Sequence, residues 1–143
     1  MGLNARKYTC APLNTFWDPM HCTVASSGVS QFEMNSFAHA CVSKGVPLER
    51  LDEFSSRVEW PSGRERGLPK NFFAKRVRKE GDHIKAFAAE VLTAVTVLMW
   101  FFRLVLQPVG LLEEHGQCLE LLRCMHDILF GTVSYTHLRA HET

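Results

Sequence analysis

Twelve consecutive residues, Val91 to Phe102, carry no charge and lie between Glu90 and Arg103. A helix over this stretch is apolar nearly all round, so it is stable only where other elements cover it on several sides. Twelve residues make about 18 Å of helix, well short of the ~30 Å hydrocarbon layer of a bilayer. A buried core helix is therefore expected rather than a membrane span. The pattern extends this helix over Ile84 to Gln107, where Pro108 and Gly110 end it. The rest of the chain must wrap it, and the expected fold class is mainly α.

The covering pieces are readable from periodicity and breakers. Residues 8–17 read as a loop entering one short strand, Asn14 to Trp17. Asp18-Pro19 then signals a helix start, since Asp suits the N-cap and Pro the first helical position. That helix runs from Pro19 or Thr23 to Ser43, with Val24, Val29, Phe32, Phe37, Ala40 and Cys41 near one stripe. Gly28 weakens its middle and Gly45 ends it. Pro47 opens a helix over Leu48 to Glu59, with Leu48, Leu51, Phe54 and Val58 on one face. Trp60-Pro61-Ser62-Gly63 breaks it, and residues 61–70 read as an exposed loop. A last helix, from Leu111 or Leu112 to Leu129, carries Leu111, Cys118, Leu122, Met125 and Leu129.

Charge is nearly balanced, with 16 Lys and Arg against 15 Asp and Glu, so no global field dictates the partner. A hydrophobic share of 46% excludes a wholly disordered chain, and ten Phe with three Trp supply core bulk. Five Cys, an odd number with no CxxC pair, point to a reduced, intracellular compartment. Met1 to Cys10 lacks the apolar core of a signal peptide. Met1-Gly2 begins like a myristoylation site, but Arg6 stands where that motif needs Ser or Thr.

The last eleven residues, Val133 to Thr143 (VSYTHLRAHET), resemble the in-frame translation of a transposon-end adapter used in sequencing libraries. A Thr132 codon ending in CT fits the adapter's first two bases. The expectation is a single, incomplete helical domain over residues 1–131 and an artefactual, disordered tail over 132–143.

Two stretches carry chemistry. In Asp18-Pro19-Met20-His21 a carboxylate stands about one helical turn from an imidazole, a pairing able to hold a divalent metal or orient a phosphate. The same residues also read as a plain helix start, with His21 packed in the first turn. Between Arg64 and Lys79 stand seven cations, Arg64, Arg66, Lys70, Lys75, Arg76, Arg78 and Lys79, against Glu65 alone. This run suits DNA phosphates, with Phe72 and Phe73 able either to stack on bases or to face the core. Lys75 to Lys79 (KRVRK) also has the composition of a nuclear-localisation run. His115 with Cys118, or Cys118 and Cys124 with His126, lies on a regular helix with no loop knuckle, so a zinc site is not expected there.

FWDPMH followed by a Gly-containing helix resembles the second catalytic-acid region of eukaryotic cut-and-paste transposases of the CACTA and Plavaka-like groups. HIKAFAAEVLTAVTVLMWFF resembles their last-acid stretch, and EEHGQCLELLRCMHDIL the helix after it. The likeness covers roughly residues 8–130. It implies one strand and the helical insertion of an RNase H-like core, in which three acids bind two metal ions. Asp18 then matches the second acid, His21 the signature His and Glu90 the third acid, with Asp18 and Glu90 as Mg²⁺ ligands. The first acid is expected upstream of Met1. Two ions ~3.5–4 Å apart activate the attacking oxygen and stabilise the leaving one. The resemblance implies a nuclear, DDE-type enzyme that cleaves DNA and transfers strands in the intact parent. This chain alone is expected to be inactive and to keep some DNA affinity. The alternatives are a non-enzymatic helical interaction or DNA-binding module, and a domesticated transposase that binds DNA without cutting it.

Overall fold

The computed structural model describes the backbone of residues 20–24, 28–60 and 67–142, and the side chains of these except 20, 21 and 131–142. Among the described residues the fold is mainly α and contains no strand. A π-helical turn, Met20–Val24, precedes α1 (Val29–Ser43), α2 (Leu48–Arg57), α3 (Phe72–Arg76), α4 (Ala88–Phe101) and α5 (Glu113–Glu142). The expected strand Asn14 to Trp17 lies outside the described residues.

α4 is the central helix. It buries Val91, Ala94, Val95, Thr96, Val97, Leu98, Met99 and Phe101. Each fully buried Val, Leu or Phe contributes roughly 1.5–3 kcal/mol relative to exposure. The helix begins at Ala88, four residues after the expected Ile84. Ile84 is instead a buried residue of an irregular segment, its N–H donating to the Gln31 carbonyl at 3.1 Å. Past Phe101 the helical path continues as a π-helical turn, Phe102–Leu106, and a 3-10 turn, Gln107–Val109. The whole run Ala88–Val109 spans 22 residues, long and apolar enough to cross a bilayer by length and composition. The uncharged twelve residues thus understate its length. Half of its most apolar window is buried inside the molecule.

α1 starts later than its periodicity suggests. Gly28 is not a weak point inside the helix but the residue before it, in extended conformation. Met34, Phe37, Ala38 and Cys41 reach the core, whereas Val29 and Phe32 are exposed. Burial pushes the Cys41 thiol up to about 12. α2 presents Leu51 to the core and sets Phe54 edge-on against Phe101, ring centroids 5.3 Å apart.

The turn from α4 to α5 depends on backbone geometry. Gly110 adopts φ 70 and Leu112 φ 56, the latter a left-handed conformation costly for a branched side chain. α5 then packs Leu119, Leu122 and His126 inward, while Cys118, expected on the apolar stripe, is exposed. Gly116 sits directly under the Phe102 ring, which lets the two helical paths approach closely. Arg103 clamps the same crossing by pairing with Glu120 at 2.6 Å. α5 continues through residues 132–142, the segment expected as a disordered tail.

Candidate functional site

The basic stretch is held in place by polar residues of α1 and α2. α3 opens at Asn71, in left-handed conformation, and drops Phe72 and Phe73 into the core at 1% and 0% exposure. Both rings are therefore core residues, packed edge to face 5.1 Å apart, and neither faces a base. Asp52 of α2 accepts from the Phe73 and Ala74 backbone N–H groups at 2.8 and 3.0 Å, satisfying donors that a helix start leaves free.

Beyond α3 the chain is irregular, and one polar stripe of α1 grips it. Gln31, Asn35 and His39 are spaced one turn apart. Asn35 accepts from the Arg78 backbone N–H at 2.9 Å and donates to the Lys79 carbonyl at 3.1 Å. His39 Nε2 meets the Arg78 carbonyl, which requires the proton on that nitrogen. Gln31 Nε2 donates to the Val24 and Ala86 carbonyls at 3.0 and 2.9 Å. The backbone at Arg78 and Lys79 is thus fixed while both side chains are exposed, as are Lys70, Lys75 and Lys85. Their field reaches Asp82. The His83 backbone N–H is the largest effect and holds the Asp82 carboxyl below its ordinary range; desolvation opposes it, and the charges of His83, Arg78 and Lys79 each lower it by less.

Arg76 differs from its basic neighbours. Its guanidinium donates to the Lys85 carbonyl at 2.8 Å, lies 5.9 Å from the Phe72 ring centre and faces Glu90 Oε1 at 3.8 Å. It is a bracing residue, not a free cation on the basic strip. Arg64 and Arg66 lie outside the described residues.

Glu90 occupies the first turn of α4, where its Oε2 accepts from the Phe87 backbone N–H at 2.9 Å. This is half of a capping box, because Phe87 has no side-chain acceptor to complete the other half. With Arg76 on one oxygen and Phe87 on the other, the carboxylate serves the helix start. Asp18 lies outside the described residues, as does the side chain of His21. Among the described residues no group of three or more His, Cys, Asp or Glu gathers as metal ligands. Among the described residues Glu90 is engaged by Arg76 and the Phe87 N–H.

Sequence reasoning missed the α1 stripe. Gln31, Asn35 and His39 recur every four residues, a signal visible in principle but hidden by the apolar residues between them. It weighed His126 only beside Cys118 and Cys124 and missed its pairing with Ser30, both buried, whose Oγ and Nε2 lie 2.8 Å apart. Their 96-residue separation leaves no spacing to read. No protein-family model, curated protein or solved structure matches this chain.

Proposed function

We propose that this chain is a helical DNA-binding module, the piece of a transposase-like protein that its sequence resembles, and that it grips the phosphate backbone through Lys70, Lys75, Arg78, Lys79 and Lys85. The observation that carries this reading is the Asn35 clamp. Exposed cations on a loose loop lose conformational freedom on binding, whereas Arg78 and Lys79 project from a backbone already fixed by three hydrogen bonds. Phosphate contacts of this kind give affinity and register without reading sequence. Phe72 and Phe73 are buried and do not reach bases, and contacts to phosphate alone discriminate weakly between duplexes.

DNA cleavage and strand transfer belong to the intact parent in this proposal. Glu90 accepts from the Phe87 N–H and faces Arg76 at its helix start. The test is duplex binding by the triple variant Lys75→Ala, Arg78→Ala, Lys79→Ala. A well-folded variant that loses most of its affinity supports the strip, and one that binds like the unaltered chain refutes it.

A further inference from the structure

We propose that Ser30 and His126 form a proton-operated latch between α1 and α5, closed while the His126 ring is neutral and opened when the ring takes a second proton from solvent. Ser30 and His126 are 0% and 2% exposed, and their contact joins the first and last long helices of the described fold. The other ring nitrogen, Nδ1, is enclosed and has no hydrogen-bond partner. A neutral ring can satisfy this site, with Nε2–H donating to Ser30 Oγ and Nδ1 left as a bare lone pair. A protonated ring carries a hydrogen on both nitrogens. The Nδ1–H is then a buried donor without an acceptor, and the charge has lost its water. The Phe130 ring lies 5.9 Å away and closes off one side.

The charges around the ring favour the neutral form. Burial is the largest effect lowering the His126 pKa; Arg123 adds to it, and Asp127 opposes. Arg123 and Asp127 both lie on α5 and pair with each other at 2.9 Å. α1 meets the ring with uncharged Ser30, and its own titratable groups are Glu33, His39 and Cys41. The turn Met20–Val24 carries His21 and Cys22, and α4 carries Glu90. Because the folded pKa is lowered, the latch is fully closed above the ordinary imidazole value of about 6.5. It weakens as pH falls from there toward the folded pKa, by at most about tenfold in the opening equilibrium per pH unit.

The experiment is amide hydrogen exchange across α1 and α5 of the full chain between pH 7.5 and 5, corrected for intrinsic rates, alongside an NMR titration of the His126 ring. The expected result is protection in both helices that is level above about pH 6.5 and falls at least severalfold from there down to the midpoint of the ring titration, while His126→Gln, which keeps a donor for Ser30 and cannot titrate, shows no such fall. Should the Gln variant fail to fold, the unaltered chain still decides. Protection that stays level from about pH 6.5 down to the midpoint of the ring titration overturns the latch, as does a parallel fall in a folded His126→Gln.

Discussion

Asn35 and Arg78 are joined by a hydrogen bond from the Arg78 backbone N–H to Asn35 Oδ1, 2.9 Å long and reaching across 43 positions of the chain. The same amide group donates to the Lys79 carbonyl. One buried side chain therefore fixes two successive residues of the basic strip. Asn35→Ala is expected to leave both backbone groups unpaired and cost roughly 1–3 kcal/mol. Chemical denaturation measures this, and Asn35→Leu is expected to lose a similar amount, since size alone does not restore the bonds.

Gly116 is a packing requirement. A Cβ there would stand 2.1 Å from Phe102 Cζ, far inside contact distance. Gly116→Ala gains helix propensity, yet the forced shift of a buried ring is expected to win, for a net loss of about 1–3 kcal/mol. Combining it with Phe102→Leu is expected to cost less than the two single losses added together, because the smaller side chain frees the space. Thermal melts of the four proteins form the cycle.

Much of this architecture is legible in the sequence, for physical reasons that differ by element. The uncharged run after Glu90 announces α4 because no other placement hides so much apolar surface. α2 is equally plain, since Pro47 opens it and the stripe through Leu51 faces inward. The failures come where long-range contacts override local pattern. Ile84 has the spacing of a helical core residue, but its N–H is claimed by Gln31 of α1. On α5 the close approach at Gly116 rotates the buried face to Leu119 and His126 and leaves Cys118 outside. At the site, the cations are legible by type alone, whereas the separate role of Arg76 depends on a Glu90 that becomes its neighbour only in the fold.

Glu90 is expected to behave as a cap. Glu90→Ala removes the acceptor for the Phe87 N–H and the partner of Arg76, at a cost of about 0.5–2 kcal/mol. Glu90→Gln keeps an acceptor and is expected to lose less. Titration calorimetry with Mg²⁺ is expected to show the same weak heats for both variants and the unaltered chain. A Mg²⁺ site abolished by Glu90→Gln would instead restore Glu90 as a metal ligand.

Asp82 is held low first by the His83 backbone N–H and, more weakly, by the charges of Arg78 and Lys79 on the basic strip. Its folded pKa is lowered, so its contribution to stability is present above the unfolded aspartate value and is lost as pH falls through the folded one. Carboxyl NMR is expected to show Asp82 titrating below the ordinary range. Arg78→Ala with Lys79→Ala is expected to move that titration upward, as is added salt, because both charges are exposed to screening. The part due to the His83 N–H is expected to persist in the double variant.

The most direct measurement is the affinity of the chain for a fluorescent DNA duplex as a function of salt. The expected Kd is on the order of 10⁻⁴–10⁻⁶ M near physiological salt, with a steep fall in affinity as salt rises and little dependence on sequence. Removing Arg78 and Lys79 together is expected to flatten the slope of log affinity against log salt by about one unit for each phosphate no longer neutralised. Binding that is absent at low salt, or a slope unchanged in a folded double variant, would contradict the claim that this strip is a DNA-binding surface.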